Sequence, residues 1–132
     1  LKFMKTFLSL IFLLTINFSF SQDISGTWSW SSSNDENFVE ISLSNNSNSQ
    51  IVGSYCSIFQ QGNKIDCAES EEPCIYLSVS GPDIFTGTFK SSFSNTTGQI
   101  KLTLVNPDKL HLEIISEPDG EFYLPHDIYL QR

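Results

Sequence analysis

The sequence predicts an all-β protein, a single antiparallel up-and-down β-barrel of about eight strands, with a two-sheet β-sandwich as the alternative. Three observations predict it. From Gln22 onward apolar residues alternate with polar ones instead of recurring every three or four positions, and alanine occurs once. Clusters rich in Asn, Ser, Gly, Pro and Asp interrupt this alternation at intervals typical of all-β folds. A short grammar of apolar residue, glycine, hydroxyl residue and aromatic recurs at Ile24–Trp30, Ile51–Tyr55 and Ile84–Phe89, each at or near the start of an alternating stretch. Short connections favour neighbouring up-and-down strands, and closure would hide edges that otherwise aggregate.

Taken in order, the first strand is expected over Ile24–Ser31, with Trp28 and Trp30 on one face. After the turn 32–36, Phe38–Ser44 points Val39, Ile41 and Leu43 one way and Glu40 and Ser42 the other. The Asn/Ser cluster 45–49 turns the chain into Ile51–Phe59. Gln61-Gly62-Asn63 then reverses it into a short strand, Lys64–Cys67, the ninth if it is independent. Ala68–Pro73 is acidic and aperiodic, hence a loop. Ile75, Leu77 and Val79 form the next inward row, and Ile84–Phe93 places Phe85, Phe89 and Phe93 on one face, with Gly87 marking a bulge or bend. Ile100, Leu102 and Leu104 and, after Asn106-Pro107-Asp108, Leu110, Leu112 and Ile114 form two facing rows. Glu117-Pro118-Asp119-Gly120 is a turn, and Pro125 separates Phe122–Leu124 from a last strand, Asp127–Leu130.

Residues 1–21 read as a cleaved signal peptide. Lys2 and Lys5 flank an apolar run from Phe7 to Phe18, and Ser19-Phe20-Ser21 supplies small residues for cleavage before Gln22. The run is shorter than the ~20 residues of a membrane span. Leu1 is an unusual first residue, and Met4-Lys5 is the more natural start. The first cysteine is Cys56, too far from the cleavage site to carry a lipoprotein anchor. The expected product, 22–132, is therefore an exported domain, secreted or periplasmic, with no membrane insertion. Without the two leader lysines it carries five basic and fifteen acidic side chains, a net charge of −10. Such a surface repels phosphate backbones, which argues against a nucleic-acid partner.

An exported chain can form disulfides. If Gln61-Gly62 make a two-residue turn, Cys56 falls opposite Cys67, within bridging distance. The same register makes them a hydrogen-bonded pair, the less comfortable geometry, and Cys67–Cys74 is the competing pairing. The odd cysteine, Cys74 if the first pairing holds, stays unassigned. Acidic neighbours oppose a thiolate, so the bridge is structural rather than redox-active. Glu69, Glu71 and Glu72, with Asp66, lack the spacing of a calcium loop and read as a solvated acidic loop. No metal site, cofactor or catalytic residue is expected. His111 is an exposed strand residue, and His126 beside Asp127 has no nucleophile setting around it. Asn45-Asn46-Ser47 and Asn95-Thr96-Thr97 are glycosylation sequons in turns.

Trp28, Trp30, Tyr55 and Phe89 remain as candidate ligand-binding residues, with Trp28, Tyr55 and Phe89 sharing one end of the barrel. A barrel of eight strands either fills with side chains or holds one small ligand, and a filled or narrow interior is expected here. At Gly26-Thr27-Trp28 the chain resembles the calycins, the lipocalins and avidins, whose first strand carries a Gly-x-Trp closing one end of the barrel. Ile51–Tyr55 is similar to a later avidin strand. No tryptophan follows Trp30, so no biotin-contacting residue carries over. The whole chain is similar to small exported bacterial proteins that share the Gly-x-Trp start and a Cys…Gly-Asn-x-Ile-Asp-Cys hairpin, here Cys56 to Cys67. That resemblance implies no activity. The expectation is a non-enzymatic binding protein, with a small apolar ligand in the barrel. One alternative is a protein-interaction module, an inhibitor or envelope component, acting through loops 31–37 and 68–74; a hydrolase dependent on His126 is the third reading.

Overall fold

The computed structural model describes residues 23–46 and 49–132; the expected leader and part of the 45–49 turn lie outside them. Among the described residues nine strands form: β1 Gly26–Ser31, β2 Phe38–Asn45, β3 Ile51–Phe59, β4 Lys64–Cys67, β5 Ile75–Gly81, β6 Ile84–Lys90, β7 Thr97–Asn106, β8 Lys109–Ser116 and β9 Asp127–Gln131. All pair antiparallel with their neighbours, and β2 pairs with β3 while β1 pairs with β9, so the sheet closes into a barrel. The barrel is the predicted one, not the sandwich.

The ninth strand has an unexpected place. The upper half of β3, residues 56–59, pairs with β4, and its lower half, 51–53, pairs with β5. β4 and β5 thus lie end to end along one edge of β3 and run the same way. Together they fill one strand position of an eight-stranded barrel, and 68–74 leaves the wall between them.

The interior is packed by the predicted alternation. Val39, Ile41 and Leu43 are buried, as are Ile100, Leu102 and Leu104 on β7 and Leu110 and Leu112 on β8. Two inward assignments fail. Val79 is 53% exposed although it stays opposite the buried Phe85, because it is the last regular rung of β5 before the register shift at Gly81, where the wall ends. Phe93 is 45% exposed, because β6 ends at Lys90 and the chain turns away before it. Phe122–Leu124 is irregular rather than a strand, yet Leu124 is buried and Phe122 packs on Phe89 at 5.7 Å, so this segment stoppers the barrel.

Gly87 and Gly53 serve close backbone approach. A side-chain carbon on Gly87 would collide with the Tyr76 carbonyl, and one on Gly53 with the Ser42 carbonyl. No bulge lies at Gly87, whose pairing with Leu77 and Ile100 is regular. The β1–β9 seam is thin, with one paired position, Ser29 opposite Gln131. Arg132 reinforces it. Its guanidinium donates to the carbonyls of Pro107, Ser25 and Asp23 and lies 4.3 Å from the Trp28 ring.

Candidate functional site

The excursion 68–74 has two firm feet. At the first, Cys56 and Cys67 are register partners joined by a disulfide. Their Cα atoms are 4.0 Å apart, and the next rung carries a hydrogen bond from the Ala68 amide to the Tyr55 carbonyl. Both mark a non-hydrogen-bonded pair, in which Cα atoms lie about 4.5 Å apart rather than about 5.5 Å. The register is the expected one, but the hydrogen-bonded pairing does not arise, because β3 ends at Phe59 and β4 begins at Lys64, so four residues rather than two make the turn, with Gln60 and Gln61 both at left-handed φ. At the second foot, the Cys74 amide donates to Gly53 and its carbonyl accepts from Lys90. Cys74 is the free cysteine, and burial pushes its thiol pKa up.

Between the feet, Glu69, Ser70, Glu71 and Glu72 are exposed. Clefts lie on both sides of this acidic ridge. One, of about 230 Å³, runs between the loop and Lys90, Ser91, Ser92 and Asn95. The other, of about 290 Å³, lies over β2 and β3 beside Ser42, Ser44, Val52 and Ser54. Ser70, Glu72 and Pro73 border both. The ridge is therefore a loop of carboxylates on a rigid wall with room for a chain on either flank.

Above this ridge the wall is held by one buried side chain. Asp66 is 1% exposed and accepts five hydrogen bonds. The hydroxyls of Tyr55 and Ser91 donate at 2.8 Å, and the amides of Ser92, Phe93 and Tyr123 donate at 2.9, 3.2 and 3.2 Å. The carboxylate thus ties β3 and β4 to the 91–96 loop and the 121–126 segment where no ladder connects them. Sequence reading placed Asp66 with the solvated carboxylates; the structure separates it from Glu69, Glu71 and Glu72 and makes it an architectural acceptor. The Tyr55 phenol is correspondingly hard to ionise, first because it is buried and then because Asp66 is beside it.

Of the four sequence-nominated residues, Tyr55 and Phe89 are in direct ring contact. They meet edge to face at 6.1 Å, near the end covered by 117–126. Trp28 is opposite Ile41, which is opposite Tyr55; Arg132 lies over the Trp28 ring, and the indole donates to the Ile24 carbonyl. Trp30 is half-buried and packs against the core. Trp28, Phe85 and Phe89 are among the fully buried side chains that occupy the interior.

The histidines also pair differently from the chain order. His126 contacts Glu117, while Asp127 contacts His111, so the neighbours His126 and Asp127 form no dyad. His111 faces outward as expected but is partly covered by Tyr129, which stacks on it at 4.4 Å. Among the described residues no helix is long and apolar enough to cross a membrane. The disulfide is of a kind favoured outside the reducing cytoplasm. An eight-stranded antiparallel barrel is compatible with a calycin-type fold. Compared with family models, with curated proteins and with solved structures, the chain matches none.

Proposed function

We propose that this is an exported, non-enzymatic binding module of calycin-like build, which engages a positively charged protein segment through the loop 68–74. The observation that carries this reading is the ridge itself. Three carboxylates stand on a loop pinned by a disulfide at one foot and by strand bonding at the other, with a cleft along each side. Loops held by a rigid scaffold are where binding function concentrates, and pre-ordering lowers the entropy lost on association. A −10 domain steers cations toward itself. The barrel interior supports a carried ligand less well, since large side chains fill it and Leu124 and Phe122 close one end. Of the two loops expected to face a partner, 31–37 is committed internally: Asn37 and Glu36 accept from the amides of Gln60 and Gln61.

The test is fluorescence anisotropy with an arginine-rich octapeptide at physiological salt. The combined variant Glu69→Gln, Glu71→Gln and Glu72→Gln is expected to weaken binding at least tenfold. A variant neutralising Asp35, Asp83 and Asp108, three acids of other loops, should leave it nearly unchanged. Equal losses in the two variants would reduce the effect to net charge and end the proposal.

A further inference from the structure

On the far side of the barrel, β8 and β9 bring three metal-ligating side chains together. His111, Glu113 and Asp127 each offer a donor atom, all within 4.8 Å of one another. The strand register explains the grouping. His111 and Glu113 are two apart on β8 and share its outer face, and Glu113 is directly opposite Asp127 while His111 is opposite Tyr129. His111 Nε2 lies 2.6 Å from Asp127 Oδ1, and its Nδ1 lies 3.7 Å from Glu113 Oε2.

Two features separate this cluster from an ordinary surface ion pair. Two carboxylates directly opposite across a rung repel one another, so Glu113 and Asp127 form an unfavourable pair that a cation between them would relieve. The imidazole is also pre-oriented. Tyr129 stacks on it with an interplanar angle of 12°, which holds Nε2 toward Asp127 before any ion arrives.

We propose that His111, Glu113 and Asp127 form a surface site for a first-row divalent cation, with zinc the best-matched ion. One imidazole and two carboxylates suit zinc, which takes three protein ligands and completes its tetrahedron with water. Ligand atoms about 2.1 Å from such an ion lie about 3.4 Å apart, so the Nε2–Oδ1 gap opens by less than an ångström. Asp127 is 64% exposed at its side chain and free to make that adjustment. Lys101, 4.0 Å from Glu113, gives up that contact, and the proton shared between His111 and Asp127 leaves to solvent. The bound ion ties β9 to β8 at the Glu113–Asp127 rung, where their ladder begins.

Isothermal titration of tag-free protein with zinc chloride at neutral pH tests the site. The expected result is one ion per chain with micromolar affinity and a Tm raised by several degrees. Asp127→Asn and His111→Gln, checked for folding by circular dichroism, should each weaken binding at least tenfold. The Glu69, Glu71 and Glu72 to Gln variant should bind as the parent does. No saturable binding below 1 mM overturns the proposal. So does affinity that survives both site variants, or that is lost with the acidic loop.

Discussion

The Tyr55 hydroxyl and the Asp66 carboxylate meet at 2.8 Å inside the barrel, linking β3 to the strand fragment that completes its wall. The same carboxylate holds three loop amides that no strand ladder reaches. Asp66→Ala removes the acceptor of two buried hydroxyls and three part-buried amides at once, and is expected to cost about 3–5 kcal/mol. Tyr55→Phe removes one hydroxyl only and should cost about 1–1.5 kcal/mol. Urea denaturation of the two variants measures both, and equal costs would mean that Asp66 does not carry the three amides.

Alkaline pH probes the same contact. The Tyr55 pKa is raised in the fold above its ordinary value of 10.0, first by burial and then by Asp66, and that of Cys74 above 9.0 by burial. A group raised in this way contributes stability that is complete below its unfolded value and is lost as pH climbs toward the folded one. Stability should therefore start to fall above pH 9 as the unfolded Cys74 ionises, and fall more steeply above pH 10 as Tyr55 joins it. Each group adds a slope of about 1.4 kcal/mol per pH unit. Denaturant midpoints between pH 8 and 11 read this, and Tyr55→Phe should flatten the steeper part.

Reduction separates the two kinds of cysteine. Cys56 and Cys67 are 11 apart in sequence, and a loop of that size stabilises by about 3 kcal/mol through the unfolded chain. The paired substitution Cys56→Ser with Cys67→Ser should lower stability by about that amount and loosen the 68–74 ridge. Cys74, buried and with a raised pKa, should react with iodoacetamide at least tenfold more slowly in the folded protein than in urea, as followed by mass spectrometry.

Close backbone approach predicts an asymmetry among the glycines. Gly87→Ala would press a methyl into the Tyr76 carbonyl and should cost about 3 kcal/mol or more, or prevent folding. Gly81→Ala meets only Ile84 at ordinary contact distance and should cost under about 1 kcal/mol. Thermal unfolding of the pair provides the comparison.

What could be read from the chain was local. The alternation of Val39, Ile41 and Leu43 sets a buried face whatever lies beside it, and the spacing around Gly62 brings Cys56 to Cys67. What escaped depends on partners distant in sequence. Asp66 looks like one more acid among Glu69, Glu71 and Glu72 until the amides of Ser92, Phe93 and Tyr123 arrive, 26 to 57 residues later. Asp127 sits beside His126 in the chain and beside His111 in space, because the β8–β9 register decides and the irregular 117–126 segment conceals it. Val79 keeps the inward parity of its strand and its place opposite Phe85, yet it is exposed because it stands at the strand's end, which alternation alone does not mark.

The division of one strand position between β4 and β5 also bears on how this domain can change. The chain leaves and rejoins the wall at adjacent levels, so the intervening residues are free in length. Lengthening a flexible loop costs only about 0.6 kcal/mol per doubling. The gap in the wall is thus a natural grafting point, where foreign peptides can be displayed while the barrel keeps its register.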